Sequence, residues 1–169
     1  MQEQIQRIRA DQAELLRGLR LAGLADAPAA FGCRHAEIAA RPLQYWDDHV
    51  RHYASSEDAA TFVLYRGGKA VGMTGAYLER GRRDHAYICN MWVDPHFRRG
   101  GAGARLVDTA SRWLAEQGAE RINAWVVESN HNAQKFYDTL GFICLDHRRL
   151  MPGNPEVEEI LMVFDTALL

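Results

Sequence analysis

Several features are scarce in this chain, and each scarcity excludes something. No apolar run in the 169 residues approaches the roughly 18 needed to span a bilayer, so no membrane role is expected. The opening "MQEQIQRIRADQ" is polar and holds no signal-peptide core, which sets the expectation of a cytoplasmic protein. Basic charge is not in surplus: 20 Lys plus Arg stand against 22 Asp plus Glu, for a net charge of −2. General nucleic-acid binders are usually basic, so nucleic acid is not an expected partner. Cysteine is sparse, with Cys33, Cys89 and Cys144 an odd set without paired spacing. That argues against a disulfide framework and a zinc site, and each thiol reads as a small buried hydrophobe. Internal repeats and long linkers are missing too. A length of 169 residues with 47% hydrophobic content fits one domain, 1–169, with a substantial core.

The pattern that remains alternates strands and helices. "IQRIRA" (5–10) reads as a first strand, and Asp11 with Glu14 reads as a helix N-cap pair. Leu15, Leu16 and Leu19 form a helical stripe that ends near Ala25. A second helical region covers about 35–54, is interrupted at Pro42, and carries Trp46, Val50 and Tyr53. "TFVLYRGGKAVGMTGAYL" is a hairpin whose Gly67-Gly68 supplies the positive φ of a tight turn. A strand over about 85–93, a helix over about 101–117 and a buried strand over 121–127 follow. This strand–helix–strand crossover predicts that 85–93 and 121–127 run parallel. A helix over 131–140 and two strands, about 142–150 and 158–165 joined by "MPGNPE", complete the chain. The fold class is α/β, a mixed sheet with helices on both faces.

The stretch "VDPHFRRGGAGARLV" (93–107) joins a strand to a helix. The first amides of such a helix have no intrahelical acceptor, and with the helix dipole they attract anions. Gly100, Gly101 and Gly103 keep side chains away from that mouth, while Arg98 and Arg99 add charge, so a pyrophosphate suits it. A Walker loop requires Gly-Lys followed by Ser or Thr, which does not occur. The dinucleotide fingerprint G-x-G-x-x-G fails at Leu106 and lacks an early βαβ unit.

R-x-x-G-x-G from Arg98 to Gly103, after a strand ending in "WVDP", resembles the acetyl-CoA pyrophosphate loop of the GCN5-related N-acetyltransferase (GNAT) family. "NHNAQKFYDTLGF" resembles that family's second motif, with Asn130, Ala133, Phe136, Tyr137, Gly141 and Phe142 matching. The resemblance spans about 60–165. It implies a GNAT-like acyl-CoA N-acyltransferase fold, with six to seven strands and about four helices. It also implies acetyl transfer from acetyl-CoA to an amine by direct attack in a ternary complex, without a metal.

The resemblance implies a role for each matching residue. Arg98, Arg99, Gly100, Gly101, Ala102 and Gly103 would hold the pyrophosphate. Backbone groups of Met91, Trp92 and Val93 would pair with the pantetheine arm where strands 85–93 and 121–127 part. A strand break or bulge over 90–92 would fit that role. Tyr137 would protonate the departing thiolate, although the stripe at 133, 136, 137 and 140 is also what a core helix shows. Asn130 and Ala133 would touch the pantetheine arm; Asn130 reads equally as the N-cap of helix 131–140.

The general base is open. "YICNMWV" carries Cys89 and Asn90 where many family members carry a glutamate, which leaves Glu128, His85 or a water relay. The acceptor site implied by the family spans about 26–55, 79–85 and 148–158, with Phe31, Tyr45, Trp46 and Tyr53 as lining residues. The acceptor amine belongs to a small molecule or a protein, the acyl group is acetyl or longer, and a homodimer follows by analogy alone. His49 and His52 beside Asp48 lack a third ligand and read as a solvated face. A second class of function is a non-catalytic acetyl-CoA sensor, which the missing strand carboxylate favours.

Overall fold

The computed structural model describes residues 2–169. β1 (Glu3–Arg7) leads to α1 (Ala13–Asp26), a short 3-10 turn (Pro28–Ala30), α2 (His35–Ala39) and α3 (Leu43–Ser55). β2 (Ala59–Arg66), β3 (Lys69–Leu78) and β4 (Ala86–Val93) form an antiparallel meander. α4 (Ala102–Glu116), β5 (Arg121–Val127), α5 (His131–Thr139), β6 (Ile143–Met151) and β7 (Asn154–Asp165) follow. The seven strands make one sheet in the order β1-β2-β3-β4-β5-β7-β6. β4 and β5 are the parallel pair, as the crossover through α4 requires.

Strand alternation builds a core on each face. Phe62, Leu64, Ala76 and Ile88 meet Leu106, Ala110 and Leu114 of α4 in one cluster. Val63, Met73 and Trp92 meet Leu16 and Leu19 of α1 and Trp46 and Val50 of α3 in the other. Pro42 lies at the N-terminal end of α3, which explains the interruption between α2 and α3. Gly67 and Gly68 take φ of 55° and 80°, the two positive values a tight hairpin needs.

Three local expectations need correction. The first strand is Glu3–Arg7 rather than 5–10, because its pairing with β2 runs from Glu3↔Arg66 to Arg7↔Phe62. Asp11 is not the cap of α1: Gln12 holds that position, its Oε1 accepts from the Arg9 amide, and Asp11 pairs with Arg9. "MPGNPE" is mostly strand rather than connection, with β6 reaching Met151 and β7 starting at Asn154. The chain turns at Pro152-Gly153, Met151 pairs Asn154, and Pro155 sits in β7 beyond the reach of β5, whose pairing starts at Glu159.

Leu106 is fully buried between α4 and β3 and lies close to Gly72. Leu106→Ala removes buried methyl groups at a tightly filled site. Urea unfolding is expected to show a loss of about 2–5 kcal/mol with an unchanged m-value.

Candidate active site

β4 and β5 pair only at Ala86↔Ile122 and Tyr87↔Asn123. Beyond those two rungs the strands part. β4 keeps β3 on its other side, and β5 keeps β7 along its whole length, so the sheet opens without breaking. The gap is a cleft of about 870 Å³ lined from both faces.

The parting coincides with a bulge. From Met73↔Trp92 to Gly75↔Cys89, β3 advances two residues and β4 three. Asn90 absorbs the extra residue at φ 49°, a left-handed conformation that asparagine tolerates better than most residues. Met91, Trp92 and Val93 follow it and line the cleft. Trp92 is turned to the α1 side, where its Nε1 donates to Asp26 Oδ2 at 3.0 Å.

At the mouth, Gly100 and Gly101 take φ of 93° and 79°, and Gly101 immediately precedes α4 without a side-chain cap. The first-turn amides of Ala102, Gly103 and Ala104 thus lack intrahelical acceptors. A side chain at either αL position would be strained. Gly103 has a different reason to be glycine. A Cβ there would sit 3.0 Å from Met91 Cε and 3.2 Å from the Phe136 ring, so it sets how closely α4 approaches β4 and α5. Ala102 is fully buried under the same turn.

The arginines divide their work. Arg98 is clipped to the protein: its Nε donates to the Val93 carbonyl at 2.9 Å and its Nη2 to Asp26. Arg105 donates to the Gly100 carbonyl at 2.8 Å and pairs with Glu3, whose carboxyl it holds below the usual range. Arg99 is exposed and, among the described residues, has no ion-pair partner. The sequence reading missed both clips, because Glu3 and Asp26 lie far from the loop in the chain.

On the opposite wall, Asn130 Oδ1 accepts from the Ala133 amide at 3.1 Å, which makes it the N-cap of α5. Asn130, Ala133 and Phe136 also line the cleft. Tyr137 lines it too, with 7% exposure and with Phe136 and Phe142 packed edge-on at 5.1 Å each. Burial raises its phenol pKa, so the hydroxyl keeps its proton at neutral pH. Of the residues expected to hold the cofactor, Arg99, Gly100 and Ala102 are the ones that do not line this cleft.

The expected bases are not in the lining. Glu128 is bonded to Arg148 Nε at 2.6 Å, which lowers its pKa, and His85 sits 3.2 Å from Glu79. The carboxylate that does line the cleft is Glu159 of β7, 7% exposed and bonded to Arg149. The lining found also differs from that expected for an acceptor. Phe31 lines the cleft, but Tyr45, Trp46 and Tyr53 surround a separate small cavity, and 79–85 contributes nothing; Tyr77, Tyr87 and Trp125 contribute instead.

The chain matches the model of the acetyltransferase (GNAT) family over residues 29–142. It belongs to the GNAT family. An uncharacterized N-acetyltransferase of Methanocaldococcus jannaschii is 33% identical over 87 residues, a match covering 48% of this chain and 38% of that protein. A GNAT-family acetyltransferase of Streptococcus pneumoniae has the same fold at a TM-score of 0.80 and 18% identity, covering 97% of this chain and 99% of its own. The PaiA N-acetyltransferase of Thermoplasma acidophilum, solved with coenzyme A, aligns at a TM-score of 0.67 and 15% identity over 98% and 99% of the two chains. Seven strands in one mixed sheet with five α-helices make this a GNAT acyl-CoA N-acyltransferase fold.

The thiols of this family member differ in access. Cys144 is exposed and Cys33 and Cys89 are half-buried, contrary to the expectation that every cysteine is buried. Burial pushes the Cys89 thiol up to about 11, leaving about one part in 10³ as thiolate at pH 8. Iodoacetamide at pH 8, read by mass spectrometry, is expected to label Cys144 first and to spare Cys89 until the pH approaches 11.

Proposed function

We propose that this chain is an acetyl-CoA-dependent N-acetyltransferase, acting as one domain over 1–169. The observation that carries the reading is the bulged β4 parting from β5 beside an uncapped helix N-terminus. Acetyl-CoA suits the cleft on three counts. The αL turn at Gly100-Gly101 clears the first amides of α4 for a pyrophosphate, with Arg99 free to add charge. The backbone of Met91, Trp92 and Val93 has no β5 partner and offers strand-like pairing to an extended arm. Asn130 and Ala133 bound that arm from the α5 side.

The chemistry is then a direct transfer. An acceptor amine attacks the thioester carbonyl, the C–N bond forms and the C–S bond breaks. A backbone N–H of the bulged segment stabilises the oxyanion. Tyr137, protonated at neutral pH, gives its proton to the departing thiolate and is reprotonated by way of water, while the attacking nitrogen sheds a proton as the amide forms. A primary amine is only about one part in 10³–10⁴ neutral at pH 7, so proton loss to water in the open cleft precedes attack. Cys89, with its thiol pKa raised, is unsuited to be a covalent intermediate.

Thermal unfolding with acetyl-CoA, CoA, ATP and NAD tests the cofactor. Acetyl-CoA and CoA at about 100 times their dissociation constants are expected to raise the midpoint by about 5–10 °C, with ATP and NAD giving little. The reverse order of ligands would overturn the reading. Tyr137→Phe is expected to lower kcat by about 10²–10⁴-fold while CoA still raises the midpoint. Unchanged kcat would remove Tyr137 from the chemistry.

A further inference from the structure

The cleft runs through the sheet, and strand alternation sorts its lining into two halves. Ala76, Ile88, Val126 and Met162 belong to the cluster under α4. Tyr77, Tyr87, Trp125 and Glu159 occupy odd-numbered positions of the same four strands and so face the other way, and all four line the cleft. This second half lies opposite α4 and α5, so it receives the acceptor if the first receives acetyl-CoA.

Arg149 stands in that second half. Its guanidinium lies over the Trp125 ring, 4.2 Å from the centroid, and its Nε donates to Glu159 Oε2 at 2.7 Å. Only Nε is engaged; the Nη1/Nη2 edge has no partner among the described residues. The other guanidinium in the lining, Arg98, is taken up by Asp26 and the Val93 carbonyl. Arg149 is thus a fork whose direction is already fixed by a ring face and a buried carboxylate, so little further ordering is needed to use it.

A planar anion that accepts two parallel N–H bonds from such an edge is a carboxylate. Glu159 brings the local charge close to zero, so the edge selects by hydrogen-bond geometry more than by field. A phosphate dianion would meet the Glu159 charge at close range and is disfavoured. The stacked rings of Tyr77 and Tyr87, 5.0 Å apart and 16° from parallel, add a flat apolar wall.

We propose that Arg149 receives a carboxylate carried by the acceptor, so that the acceptor is a small amine of amino-acid type rather than a plain amine. This rests on the acetyltransferase reading above. The amine end then points toward the Asn90 bulge, where the thioester is presented.

The test compares matched pairs that differ only in the carboxylate: tyrosine and tyramine, tryptophan and tryptamine, histidine and histamine, lysine and cadaverine. Turnover with acetyl-CoA is followed by thiol release, and midpoints of the CoA-loaded protein are read with each amine. For at least one pair the acid is expected to show a kcat/KM about 10–100-fold higher, carried mainly by KM. Arg149→Lys keeps the charge without the planar fork and is expected to lose most of that ratio. The double variant R149M/E159Q removes both charges together, so no buried carboxylate is stranded, and is expected to abolish the ratio. Retained CoA stabilisation shows that each variant is folded. If no acid has an advantage over its partner in turnover or in midpoint, or if the variants keep the ratio, the Arg149 inference is overturned and the acetyltransferase reading stands. If acetyl-CoA neither raises the midpoint nor is consumed with any amine, the acetyltransferase reading fails, and the inference with it.

Discussion

One extra residue in β4 governs the arrangement of the site. Ala86 and Ile88 face the α4 cluster, so strict alternation would send Trp92 to the same side. Trp92 instead packs with Leu16, Leu19 and Trp46 on the opposite face, and Met91 and Val93 take the α4 side. The bulge at Asn90 makes this exchange. It places Met91 against Gly103, brings the Trp92 indole to Asp26, and bends β4 away from β5. A flat β4 would zip further onto β5 and close the cleft.

Asp26 converts that local event into a connection between distant segments. Its carboxylate accepts from Trp92 Nε1 and from Arg98, so the end of α1, the bulged strand and the glycine loop share one acceptor. Glu3 does the same from the far side, pairing with Arg105 and Arg66 while Arg105 holds the Gly100 carbonyl. The glycine loop, proposed above to face a pyrophosphate, is therefore braced by two carboxylates from the N-terminal segment. The charge that "RRGGAGAR" suggests on paper is largely used inside the protein, and Arg99 is the guanidinium left over. Exposed pairs of this kind contribute little stability each; what they fix is the direction in which the first amides of α4 point.

The parts of the site built from short contiguous segments were legible in the sequence. The glycine loop, the crossover, the α5 motif and the Gly67-Gly68 turn each follow from local backbone chemistry, and their bounds came out within a residue or two. The half of the cleft proposed for the acceptor was not legible, because it is assembled across strands. Glu159 sits in "EVEEILMVF", where three glutamates look alike until pairing with β6 buries one of them against Arg149. Tyr77 and Tyr87 lie ten residues apart in sequence and meet only because the β3–β4 register sets them opposite each other. Tyr45, Trp46 and Tyr53 have a convincing helical spacing, and it reports packing onto α1 and β3 rather than a substrate wall.

The same topology explains how a sheet can be opened at its centre without falling apart. Abandoning the β4–β5 ladder after two rungs forfeits a handful of hydrogen bonds, each worth about 0.5–1.5 kcal/mol net. Water in an open cleft can satisfy those groups in part. β7 inserts between β5 and β6 and keeps all seven β5 residues paired, while β3 keeps β4. Buried Tyr137, Phe142 and Phe164, packed edge-on and tilted against one another, fasten α5 and the loop after it to the far half of the sheet. The opening is then a supported gap reached from both faces, with helix amides on one side and a fixed guanidinium on the other. The proposed transfer, in which two substrates meet without sharing an entrance, would use such a gap, and the insertion of β7 is what allows a single sheet to contain it.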